Sequence, residues 1–392
     1  MVPPLPAHLR RILDAEYPRF SAAEMERRRG AIARVLAEHE VDHLVYRGFN
    51  RSGSAVQWLT QWPVTAEAVG VLSPGATDLL FVQYFNHVPL ARRLAEHAEV
   101  AWGGESSIKA TIAALERRGA RTGRVGAIGP LPFDHHALLA ARFGNIVNLN
   151  RPYVRLRQIK SAEEIDWMRI GAAFSDAGVA ALRDGLKPGL SERQLGDLVE
   201  RAYVADGGTN VIHYFAATPM GAPQREVPAQ FPSTRRIERG DVVVTEIAAA
   251  FWDYPGQVLR SFAVGEAPTP LYRDLHAAAD AAFDAIAAVL RDGAMPAEVI
   301  AAAGVIEAVG FTTCDDLLHG YGGGYLPPIL GSASRPAGPA PDQPFSAGMT
   351  VVIQPNVVTT DGRAGVQTGE LVLVTHDGIE RLHHAPRGFA QV

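Results

Sequence analysis

Two apolar runs after Gly240-Asp241, Val242–Ala249 and Gln257–Val264, constrain this chain more than any other stretch. Each has strand length, and neither has the three-to-four spacing of an amphipathic helix. Between them lies Asp253-Tyr254-Pro255-Gly256, a succession of turn formers. The expectation is a β-hairpin with its turn at those four residues. Glu246 stands inside the first run between Val244 and Ala248, and Gln354 follows Val351-Val352-Ile353. A buried polar group without a partner costs about 1–3 kcal/mol. Polar residues in such runs therefore mark either an exposed strand face or a pocket, and here the pocket is expected.

The remaining chain alternates helix and strand signals. Serine with a carboxylate or amide three residues on, the spacing of a capping box, occurs at Ser21/Glu24, Ser161/Glu164 and Ser191/Gln194. Before residue 157, strands are expected at Val41–Tyr46, Ala68–Leu72, Asp78–Gln83 and Arg124–Ile128, with helices at Ser107–Arg118 and Pro132–Phe143. That alternation implies an α/β domain. Beyond it come two capped helices, the hairpin, helices at Pro270–Arg291 and Pro296–Val309, and β runs at Thr350–Val357 and Val366–Thr375. This order suggests two α+β halves. The division expected is 1–157 and 158–392.

Composition excludes several roles. With 37 basic and 42 acidic residues and a net charge of −5, nothing suits a phosphate backbone or an anionic membrane. No nucleic-acid or membrane partner is expected. The single cysteine, Cys314, fits a reducing compartment and reads as a buried structural thiol rather than a reactive one. No stretch is apolar enough to span a bilayer, so a cytoplasmic location is expected. His383-His384 reads as a solvated tail, because adjacent residues rarely share one metal. His135-His136 reads the same way, and Arg235-Arg236 with Glu238 and Arg239 as a solvated loop face.

Several motifs, taken together and in order, resemble the creatinase/aminopeptidase P family, the M24-type Xaa-Pro peptidases. They are Arg157 to Ile165 (RQIKSAEEI), Gly240-Asp241-Val242-Val243, Arg260-Ser261-Phe262, His319-Gly320-Tyr321-Gly322, Gly348-Met349 to Gln354-Pro355, and Leu373-Val374-Thr375 with Gly378. The resemblance spans about Phe20 to Leu382. It implies a pita-bread C-terminal domain of α+β class behind a smaller α/β creatinase-like domain. It also implies where a pair of divalent cations would be held. The family's two Asp fall on Glu246 and Gln257, its His on His319, and its two Glu on Gln354 and Gly369. Two anionic ligands are thus neutral amides and one has no side chain. Two close cations need anionic oxygens between them, so no metal or other cofactor is expected. Only a bulge turning Glu370 inward would restore a carboxylate. The family's second histidine falls on Leu326, and the creatinase acid/base histidine falls near Ala229.

The remaining constellation is expected to be catalytic at Glu246 and His319. Gln257, Arg260, Tyr321, Tyr325, Gln354 and Gln367 are expected to bind substrate, with Arg260 alternatively paired to Glu246, and with Asn356 and His213 as further candidates. The glycines after His319 are expected to let backbone approach a ligand. Three functions follow as expectations. The first is a metal-independent hydrolase of a C–N bond in a small polar molecule, like creatinase or ectoine hydrolase. The second is a metal-dependent Xaa-Pro dipeptidase or aminopeptidase. The third is a non-catalytic binding protein that uses the old pocket. A homodimer is expected from the resemblance.

Overall fold

A computed structural model describes residues 2–50 and 55–392. The chain divides into two compact units: Asp14–Arg157, and Gln158–Val392 together with the N-terminal helix Ala7–Leu13. The smaller unit carries six strands: β1 (His43–Phe49), β2 (Glu67–Leu72), β3 (Asp78–Val82), β4 (Ala98–Trp102), β5 (Val125–Ile128) and β6 (Val147–Asn148). They form one mixed sheet in the order β4-β3-β2-β1-β5-β6. Val45, Val69, Val71 and Phe81 of the sheet pack with Ile108, Leu115, Leu139 and Phe143 of two helices. β4 was not foreseen, since Ala98–Trp102 is half-exposed and breaks the apolar alternation.

In the larger unit, the helix Ala162–Gly185 opens with a complete capping box. Ser161 Oγ accepts from Glu164 N at 3.2 Å, and Glu164 Oε2 accepts from Ser161 N at 3.0 Å. Ser191 and Gln194 repeat the device at the helix Glu192–Arg201. Then come β7 (Thr209–Pro219), β8 (Asp241–Phe251) and β9 (Tyr254–Ala263). The helix Pro270–Val289 follows, and the expected Pro296–Val309 helix is two short ones, Pro296–Ala302 and Val305–Ala308, interrupted at Gly304. The closing strands are β10 (Thr312–Thr313), β11 (Leu318–Tyr321), β12 (Tyr325–Leu330), β13 (Thr350–Ile353), β14 (Asn356–Val358), β15 (Gly365–Gln367), β16 (Gly369–Val374), β17 (Ile379–Arg381) and β18 (Ala390–Gln391).

The main sheet runs β12-β11-β13-β16-β9-β8-β7, with β17 on β16 and β18 on β9. Its two halves meet where β16 pairs β9, through Gly369↔Leu259 and Glu370↔Val258. The hairpin turn differs from expectation. β9 starts at Tyr254, and the chain reverses at Trp252-Asp253, with Trp252 in the left-handed region at φ 54°. Pro255 and Gly256 are strand residues opposite Ala250 and Ala249. Gly256 is required there for a packing reason: a Cβ would strike the backbone of Ala172 in the helix Ala162–Gly185.

Candidate functional site

Strand register gathers the site. Tyr214 on β7 lies opposite Glu246 on β8, which lies opposite Leu259 on β9, which lies opposite Gly369 on β16. Side chains along such a row share one face of the sheet. Gln257, two residues from Leu259, is on that face too. The row His319↔Val352↔Leu371 brings in the imidazole, since Leu371 is two residues from Gly369. Gln354, two residues past Val352, completes the set. The bulge between His319 and Gly320 breaks the β11–β12 ladder at the site itself.

Four of these side chains form one hydrogen-bonded chain. Gln257 Nε2 donates to Glu246 Oε1 at 2.8 Å and to Gln354 Oε1 at 3.0 Å. Gln354 Oε1 also lies 3.2 Å from His319 Nε2, while His319 Nδ1 lies 3.0 Å from the Gly320 carbonyl oxygen. All four residues are buried. Burial, reinforced by the charge of Asp315, pushes the Glu246 carboxyl up to about 8. Burial also pulls His319 down to about 4, against the hydrogen bonds to Gly320 and Gln354. Near neutral pH the carboxyl is therefore protonated and the ring neutral.

Tyr325 stacks on His319 with ring centroids 3.9 Å apart, and Tyr321 meets it edge-on at 5.3 Å. The Tyr321 hydroxyl is buried without a partner, as are Gln257 Oε1, Asn356 Oδ1 and both amide atoms of Gln367. Gln367 sits beside the same face, its backbone N–H and carbonyl both bonded to Ser261 Oγ on β9. Four glycines follow His319: Gly320, Gly322, Gly323 and Gly324. Gly322, Gly323 and Gly324 make the β11–β12 turn at φ 123°, 63° and 120°.

Arg260 does not join this face, and its expected substrate role is corrected. It follows Leu259, so it points the other way. Its Nη2 donates to Glu370 Oε2 at 2.7 Å, and its remaining donors go to the carbonyls of Leu259, Gly369, Ala385 and Pro386. It pairs with Glu370, not with Glu246. Glu370 is held there, also by Arg381, so no bulge turns it toward Glu246. Burial alone would raise the Glu370 carboxyl, but the Arg381 hydrogen bond with the His383 and Arg260 charges outweighs it and holds the group below its usual range. Gly369 has no room for the missing carboxylate: a Cβ would run into the Ile353 carbonyl and lie 2.8 Å from Gln354 Cα.

His213 lies opposite Ile247, on the face away from Glu246, and is 3.0 Å from the Tyr203 hydroxyl. His383 is no solvated tail. It is buried with Nδ1 2.8 Å from Asp176 Oδ1, and His384 N donates to Asp176 Oδ2. Arg235 is likewise structural, forked onto the buried Asp241 at 2.6 and 2.8 Å. Tyr214 and Asp315 are the neighbours that sequence reasoning missed. β7 had not been recognised as a strand, and Asp315 was hidden in the loop before β11. Its spacing four residues ahead of His319 was the available signal.

Similar proteins agree with this architecture. The profile of metallopeptidase family M24 matches residues 166–376. A probable dipeptidase PepE of Mycobacterium tuberculosis is 29% identical over 238 residues, 59% of this chain and 60% of that protein. The match thus spans less than two thirds of that relative's length. Among solved structures, the X-Pro aminopeptidase of Thermotoga maritima superposes with a TM-score of 0.80 at 17% identity, covering 93% of this chain and 99% of that one. Dipeptidase PepE of Mycobacterium ulcerans gives 0.78 at 22% identity, covering 95% and 99%. The chain shares the pita-bread fold of these proteins. No helix among the described residues is long and apolar enough to cross a membrane.

Proposed function

The chain belongs to metallopeptidase family M24, and from that premise we propose that it is a hydrolase of C–N bonds which works without the family's metal pair. Its substrate in this reading is a small polar molecule. The observation that carries the reading is the chain Glu246–Gln257–Gln354–His319, with neutral amides at its two central positions. An amide oxygen carries no charge to offset two close dications. Among the described residues, no group of three or more His, Cys, Asp or Glu is placed to hold a metal ion. Gly369 is closed by backbone, and Glu370 is committed to two arginines. The donors present do not fit the group.

The acid–base assignment follows from the two environments. A carboxyl raised to about 8 carries a proton at pH 7, and an imidazole lowered to about 4 keeps one ring nitrogen unprotonated. Glu246 is then the acid and His319 the base. A water molecule gives its proton to His319 while its oxygen bonds to the substrate carbon. The C–N bond breaks, and the leaving nitrogen takes the Glu246 proton. The unpartnered Tyr321 hydroxyl and Gln367 amide, with the end of the Gln257 amide that faces neither neighbour, support a role in holding polar substrate groups.

The competing reading is a metal-dependent Xaa-Pro dipeptidase, which the descriptions of the relatives favour. One experiment separates the two. Purified protein is analysed for metals and assayed against small amides, amidines and Xaa-Pro dipeptides, with and without chelator. Substoichiometric metal and chelator-insensitive turnover are expected. Glu246→Gln and His319→Asn should each lower turnover by roughly 10²–10⁴ with folding intact. Two metals per chain, with Xaa-Pro cleavage abolished by chelation and restored by refilling, would replace this reading with the other.

A further inference from the structure

We propose that Gln257 and Gln354 form a coupled amide relay that reverses as a unit, tying the proton on Glu246 to the charge of His319, and that the resting site holds the neutral member of the pair. This rests on the acid–base reading above, but it concerns a state that exists before any substrate binds.

The warrant is the hydrogen-bond inventory. His319 Nδ1 faces the Gly320 carbonyl, which only accepts, so Nδ1 must carry a hydrogen. With Gln354 Oε1 turned to the ring, Nε2 must carry one as well. That orientation therefore demands an imidazolium. At the other end, Gln257 Nε2 donates to Glu246, which suits a carboxylate. With Glu246 as the carboxylate, the arrangement as drawn is an ion pair separated by two amides.

Oxygen and nitrogen of an amide have nearly the same outline, so either amide can be reversed. Reversing Gln354 alone sets two NH₂ groups against each other. Reversing Gln257 alone leaves its oxygen facing the oxygens of both Glu246 and Gln354. Reversing both restores every contact. The Gln257 oxygen then accepts from a protonated Glu246 and from the Gln354 NH₂. That NH₂ also donates to the bare His319 Nε2, and Nδ1–H still donates to Gly320. Two arrangements with the same number of protons satisfy every contact. One is Glu246 carboxylate with His319 imidazolium, the other Glu246 carboxyl with neutral His319.

Burial decides between them. Holding opposite charges apart in a low-dielectric interior costs more than holding two neutral groups. The groups that face the pair push the same way. Tyr214 on β7, Tyr321 on β11 and Asp315 ahead of β11 surround Glu246, and the charge of Asp315 disfavours a carboxylate. Tyr321 and Tyr325 cover His319 with ring faces and edges. The directions for Glu246, up, and His319, down, agree with the neutral state. In the proposed hydrolysis, Glu246 loses a proton and His319 gains one, which is conversion from the neutral state to the ion-pair state. Reversal of the amides accompanies turnover, since Gln354 must leave His319 Nε2 and Gln257 must leave the Glu246 proton before water and the leaving nitrogen can reach them. Return of a proton from His319 to Glu246 through solvent resets the site.

The test is spectroscopic and needs no substrate. Nitrogen NMR of the full-length labelled protein at pH 7 should show His319 as the neutral Nδ1–H tautomer. Infrared difference between wild type and Glu246→Gln should reveal a protonated carboxyl. In Gln354→Glu, a carboxylate set against Nε2 should convert the ring to an imidazolium at the same pH. An imidazolium or an Nε2–H tautomer in the wild type, or a carboxylate signal from Glu246, would overturn the proposal, and the wild-type spectrum alone suffices if a variant misfolds. A neutral site whose Glu246→Gln variant retains full turnover would leave the relay standing and sink the hydrolytic mechanism instead.

Discussion

The two faces of β9 carry buried polar networks of opposite character. On one, Arg260 spends all five of its N–H donors, on Glu370 and on the carbonyls of Leu259, Gly369, Ala385 and Pro386. On the other, one end of the Gln257 amide bridges Glu246 and Gln354, while its other end has no partner. The Tyr321 hydroxyl and the Gln367 amide are buried and unpartnered as well. A saturated charged network holds three chain segments together and has nothing left to offer. An unsaturated neutral network keeps donors and acceptors in reserve at a cost of about 1–3 kcal/mol for each buried group left unpaired. That cost is recovered when a ligand supplies the missing partners, so the unsaturated face is the one to read as a site.

Breaking the saturated face should give the largest effect. Arg260→Met leaves Glu370 with one arginine fewer and takes the guanidinium from four carbonyls, and should destabilise the fold by about 3–5 kcal/mol in urea unfolding. A loss below about 1 kcal/mol with a raised KM would instead place Arg260 on the substrate side. On the site face, Gly369→Ala should cost about 1–3 kcal/mol, because its methyl group meets the Ile353 carbonyl. Tolerance there, shown by an unchanged unfolding midpoint, would mean the pocket can after all accept a side chain at that position.

The unsaturated face should announce itself through pH. Glu246 has a folded value raised from 4.5 to about 8, so folding takes up a proton and the stability it contributes is full below 4.5 and lost as pH rises through 8. His319 has a folded value lowered from 6.5 to about 4, so its contribution is present above 6.5 and lost as pH falls through 4. The two oppose each other between 4.5 and 6.5. Between pH 6.5 and 8 only Glu246 acts, and wild type should lose up to about 1.4 kcal/mol per pH unit relative to Glu246→Gln. Parallel stability curves for the two proteins would show that the carboxyl is not held protonated. The smallest effect is expected from Tyr321→Phe. Removing an unpartnered buried hydroxyl should leave stability unchanged or raise it by up to about 1 kcal/mol, while weakening ligand binding. A clear destabilisation would reveal a partner for that hydroxyl and move Tyr321 to the saturated class.

Much of the fold was legible because it is local. The capping boxes at Ser161 and Ser191, the Pro270 helix start, and the apolar runs of β8 and β9 each depend on residues within a few positions of one another. β7 escaped because its first three residues are exposed, which hides the β pattern of Thr209–Pro219. The hairpin turn was misplaced because Asp253-Tyr254-Pro255-Gly256 has turn chemistry, whereas the Gly256 contact with the helix Ala162–Gly185 pulls that segment into the strand.

The sequence by itself determined which residue types stand at the five positions of the site: one carboxylate, two amides, one imidazole and a glycine. It also determined that Glu246 and Gln354 lie in apolar runs, since composition and alternation are properties of the chain alone. Only the tertiary structure decided which of these face each other. Strand parity sends Gln257 and Arg260 to opposite sides, and the unslipped register of Gly369 on Leu259 commits Glu370 to Arg260. The same packing buries Glu246 and His319 and moves their proton affinities in opposite directions. Hydrogen-bond partners and burial are sums over residues far apart in the chain, so no local pattern encodes them.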